Sequence, residues 1–189
     1  VAQESSNGIM TSDDYESGSI SAAFGGNSCF VPFAAQKKGE SIATTIAEYD
    51  RRAEKKSVID YSYHLILTDP NKKVLDELPS AFERGITSFK VFMTYATRVS
   101  DAQFLDILTI ARRHGGLTMV HAENHDMLTW MSNALTQAGH TEPRYHAPAR
   151  PSLAEEEAIN RAISLSKLAN APLMIVHVST PKGAELVAR

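Results

Sequence analysis

The sequence has few of the features that mark secreted, membrane-spanning or nucleic-acid-binding proteins. A single cysteine, Cys29, excludes an internal disulfide, and no apolar run approaches the roughly 18 residues that a membrane helix needs. The net charge is −3 over 189 residues, and neither sign is gathered in a long run, which argues against nucleic acid or an anionic membrane as a partner. Val1 to Asp14 lacks the basic-then-apolar order of a signal peptide. We therefore expect a cytoplasmic protein.

Short apolar runs alternate with longer amphipathic segments along the chain. The apolar runs, which suit buried strands, span residues 28–33, 58–67, 88–94, 117–121 and 173–178. Helical patterns lie between and after them, at residues 41–56, 71–84, 100–114, 126–138 and 152–168. About five β-α units predict an α/β fold with a parallel sheet, either doubly wound or a (β/α)8 barrel. A whole barrel needs roughly 250 residues, so this chain would be a partial (β/α)8 TIM barrel.

Local signals predict several details of the elements. Ser152, with Glu155 three residues later, has the spacing of a capping box at a helix start. The acidic run at 155–157 is expected to be a solvated first-turn face favoured by the helix dipole. The proline-containing stretch 140–151 is expected to be a long loop. Cys29 lies in an apolar run, which predicts a small buried side chain.

Two of the predicted strands end directly in a histidine, His121 and His177, after which the chain becomes polar. The C-terminal strand ends of parallel α/β folds form the active site, so two imidazoles there could ligate one metal ion or two neighbouring ones. The alternative is a pair of core histidines bonded to backbone carbonyls. His64 lies within an apolar run and is interpreted as structural. The other histidines are expected to be solvated: His114, His125, His140 and His146.

Lys90 lies within the apolar run at 88–94, where a lone ammonium is costly if it is buried. The cost disappears if the amine is carbamylated by CO2, is used as a neutral nucleophile that forms a Schiff base, or is paired with a carboxylate. The alternative is that Lys90 points outward at a strand edge. Alternation places Ser88, Lys90 and Phe92 on one face of the strand, which fits either interpretation.

Tyr95 follows the same strand and has two interpretations. Its phenol could donate a hydrogen bond to a developing oxyanion. The alternative is that Tyr95 lies in a pocket wall or at the protein surface and has no catalytic role.

Three motifs in this order resemble the dihydropyrimidinase/D-hydantoinase family of cyclic amidohydrolases. They are Phe89-Lys90-Val91-Phe92-Met93-Thr94-Tyr95, Met119-Val120-His121-Ala122-Glu123-Asn124 and Ile175-Val176-His177-Val178-Ser179. The resemblance extends over nearly the whole chain. It implies a (β/α)8 barrel with two divalent metals, usually zinc, at the barrel mouth, and a small β-sandwich domain built from both chain ends.

The resemblance also implies roles for individual residues. Lys90 would be the carbamylated ligand that bridges the two metals, and His121 and His177 would bind the second metal. Tyr95 would be the catalytic residue that holds the tetrahedral intermediate, and Phe92 would belong to the apolar pocket for the substrate's exocyclic group. Residues 5–9 would lie in a mobile loop over that pocket. The substrate would be a small cyclic amide, a hydantoin or a 5,6-dihydropyrimidine, and the enzyme a homo-oligomer, either a dimer or a tetramer.

Several parts of the family pattern are expected to lie outside residues 1–189. These are a His-x-His pair that binds the other metal, a late aspartate that shuttles the proton, the last barrel strands and the sandwich domain. We therefore expect residues 1–189 to form the central part of the catalytic barrel and to be inactive alone. Two other functions are possible: a Schiff-base lyase or aldolase that uses Lys90, and a non-catalytic scaffold related to dihydropyrimidinase.

Overall fold

The computed structural model describes residues 1, 3 and 8–188. Within them the helices are α1 (Tyr15–Phe24), α2 (Ile42–Ala53), α3 (Lys72–Glu83), α4 (Asp101–Arg113), α5 (His125–Gln137), α6 (Ser152–Ala169) and α7 (Pro181–Val187). The strands are β1 (Cys29–Phe30), β2 (Phe33–Ala35), β3 (Asp60–Tyr61), β4 (His64–Ile66), β5 (Ser88–Phe92), β6 (Leu117–His121) and β7 (Leu173–Ile175). Across the described residues, we find no helix with the length and apolarity that crossing a membrane requires.

The main sheet has five parallel strands in the order β2-β4-β5-β6-β7. β1 and β3 form a separate two-stranded parallel pair, in which Cys29 lies opposite Asp60. Each of the first two predicted strands is therefore split in two, with a break before Phe33 and another before His64. The split leaves the five predicted β-α units intact.

The two faces of the sheet have different neighbours, which distinguishes a barrel from a doubly wound sheet. Leu65, Phe89, Val91 and Val120 are fully buried in one core with the apolar sides of the helices. Lys90 lies on the opposite face, in register with its neighbours on both adjoining strands. A doubly wound sheet reverses its strand order and has helices on both faces. Here the strands follow sequence order, and the fold is a partial (β/α)8 barrel with the helices outside.

Helix α4 illustrates how local sequence fixes an element of this layer. The Ser100 hydroxyl accepts the Gln103 N–H while the Gln103 side chain accepts the Ser100 N–H, which forms a capping box. The helix buries one apolar stripe against the sheet: Phe104, Ile107, Leu108 and Ala111. Burial of each of the larger side chains contributes about 1.5–3 kcal/mol. After the helix, Gly115 takes a left-handed conformation with φ +72°, which glycine adopts without strain.

Helix α1 was not predicted, because its sequence has no clear apolar stripe. Its start is fixed instead by Asp14, whose carboxylate accepts the N–H groups of Glu16 and Ser17. Tyr15 is fully buried and packs edge-on against Phe30 and Tyr61. One large aromatic side chain, rather than a periodic stripe, therefore attaches this helix.

Two local predictions were wrong. Cys29 is exposed, because β1 is only two residues long and the main sheet does not extend over it. The N-cap of α6 is Pro151 and no side chain caps that helix, so Ser152 and Glu155 do not form a capping box. The predicted loop at 140–151 is confirmed, apart from a 3₁₀ turn at Pro143–Tyr145.

The two serines allow a matched test of these helix starts. Ser100→Ala should lower the free energy of unfolding by about 1 kcal/mol, because an N-cap acceptor is lost. Ser152→Ala is the control and should change it by less than about 0.5 kcal/mol, because Ser152 caps no helix. Urea unfolding followed by circular dichroism measures both. Equal losses from the two substitutions would contradict the assigned caps.

Candidate active site

The carboxyl ends of β5, β6 and β7 bring the predicted site residues to one edge of the sheet. His121 ends β6 and lies in register with Phe92, which ends β5. His177 lies just beyond β7, and Tyr95 lies just beyond β5. Lys90 is two residues below Phe92 on the same face. The structure therefore brings these five residues together at the strand ends, where barrels hold their active sites.

His121 and His177 contact each other directly. The distance between His121 Nδ1 and His177 Nε2 is 3.0 Å, and the ring centroids are 4.6 Å apart. Two nitrogens bound to one tetrahedral zinc ion lie about 3.3 Å apart, given a Zn–N distance of about 2.0–2.1 Å. His177 is exposed, and the ring nitrogens bond each other and Glu123, so the interpretation as a pair of core histidines bonded to backbone carbonyls is wrong. The facing nitrogens suit two ligands of one cation.

The backbone at His177 makes this contact possible. In β7, Ile175 packs against the helix-side core while Met174 is on the opposite side and 44% exposed. Strict alternation would place His177 on the same side as Ile175. Instead, His177 has φ +39°, a left-handed conformation that redirects its side chain toward His121. Such a conformation costs a non-glycine residue about 1–3 kcal/mol and is typical of functional sites.

Lys90 is buried, and the part of the chain that the structure describes supplies no counter-ion to it. Only 4% of the residue is exposed, and its Nζ donates to the Val91 carbonyl at 3.3 Å. The amine also lies 3.7 Å from the centroid of the Phe92 ring. Among the residues that the structure describes, no carboxylate pairs with it, and burial lowers the pKa of Lys90 to about 8. The alternatives of an outward-pointing lysine and of a carboxylate pair are therefore wrong within this part of the chain.

Tyr95 lies against the histidine pair. Its ring centroid is 5.1 Å from that of His121 and 6.0 Å from that of Phe92. Its backbone is also left-handed, with φ +71°, and the residue is 40% exposed. The phenol is therefore held at the edge of the site by a strained backbone and remains accessible to a small molecule.

Glu123 and Arg150 join this site, although no role was predicted for either. One Glu123 oxygen, Oε2, accepts hydrogen bonds from both His121 Nε2 and Arg150 Nη1. Burial alone would raise the pKa of Glu123, but hydrogen bonds and charges from Arg150 and His121 lower it overall. Burial lowers the pKa of His121, and the bond to Glu123 opposes that effect. Glu123 was detectable as a carboxylate two residues after a strand-end histidine, whereas Arg150 gave no local signal.

A cavity of about 540 Å³ opens at this edge of the sheet. Its lining includes Tyr95, both histidines and Glu155. Glu155 is not simply solvated, as was expected: one oxygen accepts the Ser179 N–H at 2.7 Å, and the other is buried without a partner among the described residues. The contact to Ser179 fixes the loop that follows His177. The cavity is large enough for a small-molecule substrate.

The remaining predicted residues have different positions. Phe92 contacts the Lys90 amine and the rings of Tyr95 and His121. It also lines a neighbouring cavity of about 410 Å³. His64 begins β4 at the amino end of the sheet, where it bonds Ser88. His146, expected to be solvated, is exposed but lines the 540 Å³ cavity. The predicted mobile loop at 5–9 falls mainly outside the described residues, which include only its last two positions.

The side chains present suit part of a metal site. Between residues 8 and 188, no three His, Cys, Asp or Glu side chains are grouped closely enough to hold a metal ion by themselves. The two facing imidazole nitrogens are nevertheless donors that suit zinc, and Lys90 is the residue that the family resemblance implies as a ligand once its buried amine is carbamylated.

Fold and site together define a (β/α)8-barrel protein with a histidine pair and a buried lysine at the carboxyl edge of its strands. No protein-family model matches the chain. It is 42% identical to the D-hydantoinase of Geobacillus stearothermophilus over 184 residues, which is 96% of this chain and 39% of that protein.

Solved structures agree with that similarity. The chain matches a D-hydantoinase structure with a TM-score of 0.95 and 40% identity, over 99% of this chain and 41% of that one. It matches the dihydropyrimidinase of Brevibacillus agri NCHU1002 with a TM-score of 0.91 and 43% identity, over 96% of this chain and 40% of that one. The chain belongs to the D-hydantoinase/dihydropyrimidinase family, and it spans about two-fifths of the length of these relatives.

The buried amine of Lys90 generates a prediction about stability. Lys90→Met should stabilise the metal-free, CO2-free chain, because an apolar side chain of similar length replaces an unpaired ammonium. The folded pKa of about 8 lies below the ordinary 10.5, so the ammonium costs the folded state about 3 kcal/mol below about pH 8. As pH rises from about 8 to 10.5 the unfolded chain also loses its proton, and the advantage of methionine declines.

The measurement is the difference in free energy of unfolding between Lys90→Met and the unsubstituted chain, at about pH 7 and about pH 10. Lys182→Met is the control, because Lys182 is half exposed and pairs with Glu185 at the surface. A pH-independent difference, or destabilisation by methionine at about pH 7, would show that the amine is not buried as an unpaired group.

Proposed function

We propose that this chain is part of a metal-dependent cyclic amidohydrolase. The enzyme would open the ring amide of hydantoins or 5,6-dihydropyrimidines and release N-carbamoyl amino acids. The observation that supports this most is the contact between His121 and His177 beside the buried Lys90, which has no carboxylate partner among the described residues, in a chain 42% identical to a D-hydantoinase. A histidine pair and a lysine without a counter-ion suit metal binding better than they suit a structural core.

Lys90, His121 and His177 are the residues that would hold the metals. With a pKa of about 8, Lys90 is partly neutral near physiological pH, and the neutral amine is the form that reacts with CO2. A new N–C bond forms, a proton is lost, and the product is an anionic carbamate that can bridge two cations. When bound, two divalent metal ions, for which we propose zinc, supply Lewis-acid polarisation of a carbonyl and a lowered pKa of bound water.

Two aromatic residues would act on the substrate. Tyr95, accessible at the cavity and in contact with His121, would donate a hydrogen bond to the oxygen of the ring carbonyl as negative charge develops on it. Phe92, which packs against both Tyr95 and Lys90, would form an apolar wall for the substrate's exocyclic group. These roles follow the family resemblance and are supported by the position of both rings at the carboxyl edge.

Further features of the whole enzyme are also proposals. The chain would be the central part of a catalytic barrel whose His-x-His pair, late aspartate, last strands and β-sandwich domain lie in the full-length protein outside residues 1–189. That protein would be a cytoplasmic homo-oligomer, a dimer or a tetramer. The match of this chain to about two-fifths of each relative supports the first proposal.

The test of the proposed function uses the full-length protein. We expect about two divalent ions per chain by elemental analysis, and release of N-carbamoyl products from hydantoin or dihydrouracil that a chelator abolishes. Lys90→Ala should remove the metal pair, and short carboxylic acids should restore part of the activity by replacing the carbamate. Lys90→Arg should also be inactive, because a guanidinium can be neither carbamylated nor a metal ligand.

Full ring-opening activity in a metal-free protein would end this proposal. Borohydride trapping of a carbonyl substrate on Lys90, without an effect of chelators, would identify a Schiff-base enzyme instead. A full-length protein that neither binds metal nor opens the ring would instead be a non-catalytic scaffold.

Tyr95→Phe tests the oxyanion donor separately. The ring packing against His121 remains while one hydroxyl is lost, so kcat should fall by about 10²–10³, or about 3–4 kcal/mol. Metal content should not change, because the phenol is not a ligand. Tyr145→Phe is the matched control, because Tyr145 stacks on His140 in the loop and does not line the cavity. An unchanged kcat, or loss of metal, would refute the assigned role.

A further inference from the structure

The contacts of Glu123 connect the histidine pair to a loop residue far along the chain. Oε2 of Glu123 accepts from His121 Nε2 and from Arg150 Nη1. The side chains of His121, Glu123 and Arg150 are only 12%, 17% and 29% exposed, so solvent screens these contacts little. The arrangement is therefore a partly buried hydrogen-bonded unit and not a surface ion pair, whose contribution would be small.

We propose that Glu123, held by Arg150, is a positioning residue that keeps the proton of His121 on Nε2 and so reserves Nδ1 for a metal ion. This inference rests on the proposed function, and it adds a residue for which the sequence analysis predicted no role.

The donor and acceptor properties of the groups lead to this tautomer. An ionised carboxylate only accepts hydrogen bonds, so the nitrogen of His121 that contacts Glu123 must be its N–H. In a neutral imidazole the other nitrogen then has a free lone pair. That nitrogen is Nδ1, which lies 3.0 Å from His177 Nε2. Without a cation, the neutral His177 must donate its Nε2 proton across this contact. For both facing nitrogens to act as ligands of a cation, the His177 ring would carry that proton on Nδ1 instead.

Arg150 keeps the carboxylate ionised and in place. An unpaired carboxylate in this partly buried position would be costly, and the guanidinium offsets that cost by bonding the same oxygen that His121 uses. Arg150 Cζ also lies 5.4 Å from the centroid of the Tyr95 ring. One side chain therefore supports both the histidine and the tyrosine of the site, and it comes from the end of the loop at 140–151.

The first test measures the tautomer in the metal-free full-length protein, through long-range ¹H–¹⁵N correlations of the imidazole assigned to His121. The unsubstituted protein should show the Nε2-protonated form. Glu123→Gln should populate the Nδ1-protonated form, because an amide can also donate to Nε2. Glu142→Gln is the matched control, because Glu142 is exposed and pairs with Arg144 in the loop. It should leave the spectrum of His121 unchanged.

The second test measures zinc affinity by competition with a chromophoric chelator. Loss of a carboxylate behind a ligating histidine typically weakens metal binding about 10–100-fold, so we expect that loss for Glu123→Gln and less than about twofold for Glu142→Gln. Should Glu123→Gln fail to fold, Glu123→Asp replaces it. The shorter side chain keeps the charge but draws the carboxylate back from His121, and affinity should fall in the same direction.

The outcomes separate this inference from the proposed function. An unchanged His121 tautomer together with unchanged zinc affinity in the Glu123 variants would overturn the positioning role, even in an enzyme that opens hydantoin. A full-length protein that binds no zinc and opens no ring would refute the proposed function. The tautomer measurement needs no metal. In such a protein it would still show whether Glu123 determines which nitrogen of His121 carries the proton.

Discussion

The in-register pairing of β5 with β6 determines the position of most of the site. Five consecutive residue pairs run from Ser88 opposite Leu117 to Phe92 opposite His121. Side chains alternate between the two faces of the sheet. This register therefore puts Lys90 and His121 on the face turned away from the helices, while Phe89 and Val91 pack under the helices. A slip by one residue would bury the wrong set on each side, so the apolar core that stabilises the barrel also fixes the site.

Much of the fold could be predicted from the sequence, for a physical reason. Helices α2, α3, α4 and α6 and the main strands each bury one side against a single core, which imposes a strong periodic pattern on their sequences. Helix α1 escaped prediction because it is attached mainly by one residue, Tyr15, and a single contact leaves no period. Cys29 was misplaced because an apolar neighbourhood in the sequence does not show where a sheet stops.

The site could be predicted only where strand ends determine it. His121 and His177 follow apolar runs, so their place at the carboxyl edge was visible in the sequence. The contact of Glu123 with Arg150 could not be predicted from the sequence, because it joins positions 27 residues apart and depends on the path of a loop. The turn at His177 was also hidden: periodicity would have sent that side chain toward the helices, and only a left-handed backbone brings it to its partner.

The two left-handed residues of the site, Tyr95 and His177, have a consequence for how the site responds to a ligand. The cost of their backbone conformations is met once, when the chain folds, so binding does not have to reorganise these side chains. The strained backbone therefore lowers the stability of the barrel while it preorganises a tyrosine and an imidazole for ligand binding. A glycine at either position would relieve the backbone strain, but it would also delete the side chain that the strained backbone holds in place.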